Sequence, residues 1–224
     1  MRPGLIEDRD RVATKKGRGR TDIDIVHADW LIRGNVRIPP GLVLSFQRFA
    51  WPVNGVVDRA PSSLGALPVG IGAASELLLP LACDESFWVG LEVSSGAPAM
   101  ALAVTVQLRN GEVSDVFSGS SWDAERPRMA IVGTTPRIEG IRRRDGRVAV
   151  FVRETHASTD IQCDHLRFRV TLLDSDDSFA GTGAAAAREV QLRLVDYAAF
   201  AAETGLRSPN PLDQKAGYKG WLLP

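Results

Sequence analysis

The residues best suited to hold a metal form one short constellation, His156-x3-Asp160-x2-Cys163-x-His165. Imidazole nitrogen, thiolate and carboxylate are donors that zinc takes in protein sites. Cys163 and His165 are two residues apart, so on a strand both point to one face. His156 and Asp160 fall in a loop without periodic pattern, which leaves their geometry unconstrained. An ordinary hydrogen-bonded loop is the plainer expectation, because the constellation holds two of only three histidines in the chain.

A second oxygen-rich segment follows at Asp174, Asp176 and Asp177. Clustered carboxylates at a sheet edge can hold calcium. The segment lacks the glycine and closing glutamate of an EF-hand loop, and an acidic turn running into Gly181-Thr182-Gly183 is the simpler reading. No metal or other cofactor is therefore expected by default, with zinc and calcium as the ions these two segments would take.

Two glycine patterns resemble phosphate cradles, Gly70-Ile71-Gly72 and Gly181-Thr182-Gly183. A dinucleotide site needs a strand before the glycines and a long helix after them. Pro80 stops any helix soon after the first, and an acidic loop separates the second from its strand. Neither context fits. A nucleophile elbow, a zincin helix and a Walker loop are all missing from the sequence. Asp84 and Glu85 are adjacent and would face opposite ways on a strand, so they read as a turn or rim pair and not as an acid/base couple.

Exposed aromatics offer a different chemistry. Trp51, Trp88 and Trp122 lie in or beside turns or opposite the clearest apolar row, where an indole can stack on a sugar ring or a partner protein. For Trp88 the plainer expectation is a place in a second core layer. Tyr218 and Trp221 close the chain on an apolar segment that wants a surface to cover, on its own domain first and on a neighbouring subunit second.

The elements that must position these residues are strands. Phe87, Val89, Leu91 and Val93 alternate with Trp88, Gly90 and Glu92, and Met100, Leu102, Val104, Val106 and Leu108 alternate with Ala101, Ala103, Thr105 and Gln107. Period two over that length predicts antiparallel sheet with one face buried and one more exposed. Ser94-Ser95-Gly96 and Asn110-Gly111 supply the turns, the latter a tight hairpin. Further strands are expected at 23–25, 42–46, 112–117, 129–132, 148–152, 165–172 and 190–194, about nine in all, with Arg144-Asp145-Gly146 as another turn. Residues 51–75, rich in Pro, Gly, Ala and Ser, read as a long surface excursion. One helix is predicted at 197–203, capped by Asp196 and ended by Gly205.

The pattern predicts an all-β, mainly antiparallel single domain, a β-sandwich or jelly roll with one short C-terminal helix and tail. Its parts are a basic arm at 1–21, a β domain at 22–205 and an irregular tail at 206–224. The arm carries seven Arg or Lys against three Asp or Glu and reads as solvated, with weak phosphate contact through Lys15, Lys16, Arg18 and Arg20 as the sharper alternative.

Composition narrows function further. Hydrophobic residues make up 44% of the 224 and charged residues 24%, enough to build a core. The 27 basic and 27 acidic side chains cancel, which argues against a global field that draws nucleic acid or membrane. Arg supplies 23 of the basic residues and Lys four, a usage that resembles a GC-rich bacterial coding bias. Cys83 and Cys163 cannot make a disulfide framework and are expected as separate thiols. With no signal-like apolar stretch and no span, the sequence reads as cytoplasmic.

Two functions of different class follow. The first is a non-catalytic binding or assembly module offering loops and a tail to a protein or glycan. The second is a hydrolase-like enzyme or metal protein with a loop-built site around residues 156–177.

Overall fold

A computed structural model describes residues 30–32, 34–52, 54–74, 76–156, 162–173 and 187–213. The expected strand at 23–25 and the basic arm lie outside the described residues. Two seven-stranded sheets carry most of the chain. In the first, Leu42–Ala50 and Glu85–Val93 run antiparallel over nine paired residues, from Leu42 opposite Val93 to Ala50 opposite Glu85. Asn35–Ile38 and the short Gly65–Ala66 strand extend one side, and Arg137–Ile138 and Phe151–Val152 the other.

The second sheet is centred on Cys163–Leu172, flanked by Met100–Leu108 and Ala187–Val195. Beyond Ala187–Val195 lies Leu77–Pro80, which runs parallel to it, and then Gly70–Ile71. A third, three-stranded sheet joins Ile141–Arg142, Val148–Ala149 and Val56–Val57. The fold is all-β, mainly antiparallel and sandwich-like, as the two-residue rhythm predicts.

The sheets pack through large side chains on their facing surfaces. Phe46 and Phe87 from the first sheet meet at 6.1 Å between ring centroids, and Phe168 from the second stands edge-on to Phe46 at 6.4 Å. Phe87 also stacks on Phe151 at 5.2 Å. All four rings are fully buried. Offset and edge-on contacts of this kind add to the transfer free energy of the rings themselves.

Three expectations need correction. The Met100–Leu108 strand is buried on both faces: Ala101, Ala103 and Thr105 are as inaccessible as the apolar row, and only Gln107 is exposed. Residues 51–75 are not a surface excursion. They contribute three two-residue strands and bury Ala60, Leu67 and Val69. The described residues hold seventeen strands instead of about nine, because many pair over only two residues.

The helix spans Tyr197–Thr204. The Asp196 carboxylate accepts from the Ala199 amide at 2.7 Å, and Gly205 takes the left-handed conformation at φ 69°. Gly70 lets this helix approach the sheet. A β-carbon at Gly70 would stand 2.5 Å from Thr204 Cγ2, so the first glycine pattern serves packing. The second, at 181–183, lies outside the described residues.

Candidate functional site

A hairpin turn gathers several arginines beside a cleft. The chain leaves the Ile141–Arg142 strand, turns through Arg143–Gly146 and returns in Val148–Ala149. The Arg143 amide donates to the Arg147 carbonyl at 2.9 Å and Gly146, at φ 85°, donates back to Arg143 at 3.1 Å. The turn sequence therefore forces four arginines, at 142, 143, 144 and 147, into one short loop.

The hairpin borders an open cleft of about 420 Å³. Leu108, Ile141 and Ala149 supply its apolar lining, and Arg142, Arg143 and Arg144 its cationic part, against the single carboxylate of Asp145. A volume of roughly 300–1,000 Å³ is ordinary for a ligand site. The opposite wall is held close by Gly119, where φ is 65° and an added β-carbon would lie 1.8 Å from the Arg142 carbonyl oxygen.

The arginines are lightly committed. Arg143 stands 3.6 Å from Asp145, both about half exposed, and Arg147 stands 3.3 Å from Asp58. Solvated pairs of this kind contribute about 0–1 kcal/mol each, so an incoming anion displaces them at little cost. Guanidinium groups offer paired donors that match a carboxylate or phosphate edge.

The sequence-predicted metal residues are distributed differently. Cys163 is fully buried in the main core, and burial pushes its thiol up to about 12, with a backbone hydrogen bond to Val152 acting the other way. His165 is half-buried, and loss of solvent lowers its pKa below the usual imidazole value. His156 is exposed and turns instead to Asp84, with Nε2 3.2 Å from Oδ2. Cys83 completes that group: its thiol, the Asp84 carboxylate and the His156 imidazole present ligand atoms within 4.8 Å of one another. Among the described residues no such group joins His156 to Cys163 and His165. Asp160, Asp174, Asp176 and Asp177 lie outside the described residues.

No protein-family model, curated protein or solved structure matches this chain.

Two of the tryptophans, Trp51 and Trp88, pack against the fold. Trp51 packs on a small cluster of Phe49, Ala60 and Val150. Trp88 joins the same cluster, donates from Nε1 to the Pro61 carbonyl at 3.2 Å and lies under the Arg137 guanidinium at 5.3 Å. Trp122 is half-buried, its amide bonded to the Val113 carbonyl. Tyr218 and Trp221 lie outside the described residues. Residues 206–213 do lie against the domain, where Arg48 Nη1 donates to the Asn210 carbonyl at 2.9 Å.

In the sequence Arg144-Asp145-Gly146 reads only as a turn. The run Arg142-Arg143-Arg144 is the available signal, but nothing in the sequence places an apolar hollow beside it. Cys83 and Asp84 were legible only as a turn, because their partner His156 is 72 residues away from Asp84. No helix among the described residues is long and apolar enough to cross a membrane.

Proposed function

We propose that the protein is a non-catalytic binding module that takes an acidic, partly apolar segment of a partner protein into the arginine-rimmed cleft. The observation that carries this reading is the pairing of an apolar lining with Arg142, Arg143 and Arg144 in one hollow of about 420 Å³. Arginine forks would hold carboxylates at the rim while Leu108, Ile141 and Ala149 accept an apolar side chain. Charge near the rim would steer encounter and set partner choice more than it would set affinity.

The test is fluorescence anisotropy with labelled ten-residue peptides that combine Asp or Glu with one aromatic residue, against neutral and basic controls. Acidic peptides should bind, more weakly as salt rises. Arg143→Glu and Arg144→Glu together should weaken binding by at least about tenfold, since like charges meeting at an interface are strongly disfavoured. Equal binding by the charge-reversed protein, or none by any acidic peptide, overturns the proposal.

A further inference from the structure

The geometry points to a zinc-class metal site built from Cys83, Asp84 and His156, separate from the cleft hairpin and independent of its ligand. The three ligand atoms, one sulfur, one oxygen and one nitrogen, all lie within 4.8 Å of one another. A tetrahedral zinc with bonds of about 2.0–2.3 Å needs its ligands roughly 3.3–3.6 Å apart. His156 Nε2 and Asp84 Oδ2, at 3.2 Å, stand just below the short end of that range. The thiol, within 4.8 Å of both, needs to close by at most about 1.5 Å. Donors of mixed softness, including a thiolate, select zinc and its neighbours over magnesium or calcium.

The backbone holds the two halves of the site together without a metal. Cys83 and Asp84 sit in the turn that opens the Glu85–Val93 strand, and His156 follows the Phe151–Val152 strand paired beside it. The Asp84 amide donates to the Glu154 carbonyl at 3.0 Å, and the His156 amide donates to Asp84 Oδ1 at 3.1 Å. Arg153 Nε donates to the Leu81 carbonyl at 2.9 Å, a third tie between the same segments. The Trp51 amide fixes the Asp84 carbonyl at 2.8 Å. Asp84 itself adopts φ 58°, a left-handed conformation that aspartate tolerates better than most residues. A histidine that is otherwise exposed is thus presented to a carboxylate and a thiol whose backbones are pinned.

The donor set also suits a cation: the Asp84 carboxylate beside the thiol brings negative charge that a divalent ion takes up. On binding, the Cys83 S–H bond breaks and its proton leaves to solvent. The sulfur lone pair forms the metal bond, and His156 Nε2 binds as the neutral base. Three protein ligands leave the fourth tetrahedral position to water or to an incoming group, an open arrangement.

Cobalt(II) titration of the full chain under a non-coordinating reductant tests the site. At one equivalent the protein should show thiolate-to-cobalt charge-transfer absorption and the intense visible bands of tetrahedral cobalt, both displaced by zinc and untouched by magnesium. Cys83→Ser should abolish the charge-transfer band. His156→Ala and Asp84→Asn should each weaken binding by about tenfold or more. Tryptophan fluorescence and circular dichroism confirm that each variant is folded. Cys163→Ala, which removes the buried thiol, should leave the spectrum unchanged. Absence of the charge-transfer band in the parent protein, or a band that survives Cys83→Ser and disappears in Cys163→Ala, overturns the assignment.

Discussion

Arg48 and Glu85 face each other as a buried ion pair, Nη1 to Oε1 at 3.1 Å, on the two longest strands of the first sheet. Tyr197 closes the pair from the helix. Its hydroxyl donates to Glu85 Oε2 and accepts from Arg48 Nη1, both at 2.7 Å. Burial first, and then the Glu85 charge, hold the phenol well above its ordinary pKa, so it remains a donor throughout the neutral range. Through Arg48 and the Asn210 carbonyl the same network ties residues beyond the helix to the sheet.

Removing one charge from this network leaves the other buried without a counter-charge. Glu85→Gln should therefore destabilise the fold by about 3–5 kcal/mol, read as a lower urea midpoint. Tyr197→Phe, which leaves Glu85 Oε2 only the Ala82 amide at 3.2 Å but keeps the ring, should cost about 1–3 kcal/mol. It should also speed proteolytic cleavage after Gly205 relative to cleavage in the sheets. Replacing both partners, Arg48→Met with Glu85→Leu, should cost less than the two single changes added together. A Glu85→Gln protein as stable as the parent would show that the pair is solvated.

Two glycines with the same backbone sign should respond differently to alanine. Gly111 adopts φ 87° and has open space where a β-carbon would go. Gly111→Ala should cost only the left-handed penalty, about 1–2 kcal/mol. Gly119 adopts φ 65°, but its β-carbon would overlap the Arg142 carbonyl oxygen. Gly119→Ala must move the backbone at the cleft wall and should cost clearly more. Paired thermal melts decide it, and equal losses would mean that the wall of the cleft yields freely.

Gly70→Ala tests how the helix is seated. The added methyl would lie 2.5 Å from Thr204 Cγ2 and 3.1 Å from the Phe200 ring. Overpacking of this kind costs about 1–3 kcal/mol. Thr204→Ser removes Cγ2 and keeps a hydroxyl that can bond the Phe200 carbonyl, as Thr204 does at 2.7 Å. The double variant should therefore recover much of the loss, a coupling measurable in a urea double-mutant cycle.

The sequence made legible those elements whose signal is local. Phe87 and Val89 repeat every second residue and are buried as that rhythm requires, and Asp196 and Gly205 cap the helix from fixed positions at its ends. Leu77-Leu78-Leu79-Pro80 gave no such signal. It is buried on both faces, so it shows no alternation, and it pairs in parallel with a strand more than a hundred residues later. Ala101 and Ala103 misled for a related reason, because small apolar residues fit an open face or a covered one equally well. The candidate sites were hidden by separation along the chain. Asp84 meets His156, and Arg48 meets Tyr197 across 149 residues, through pairings that no spacing rule encodes.

Cys163 supplies a pH-dependent test of the core. In an unfolded chain a thiol titrates near 8.5, whereas burial holds the Cys163 thiol at about 12 in the folded protein. Below about pH 8.5 both states keep the proton and stability is unaffected. As pH rises above that value the unfolded chain loses the proton while the folded one retains it. Stability then falls by up to about 1.4 kcal/mol per pH unit until the folded thiol ionises. Cys163→Ala removes this contribution while Cys83, the tyrosines and the lysines continue to titrate in both proteins. Its urea midpoint should begin lower, because a core atom is lost, and should fall less steeply than the parent's between pH 8 and pH 10.5, a span of roughly two and a half units. Parallel curves for the two proteins would mean that Cys163 is in contact with water. Thiol labelling gives the same answer by another route: at neutral pH Cys83 should react with a disulfide reagent in the native protein, and Cys163 only at the rate of unfolding.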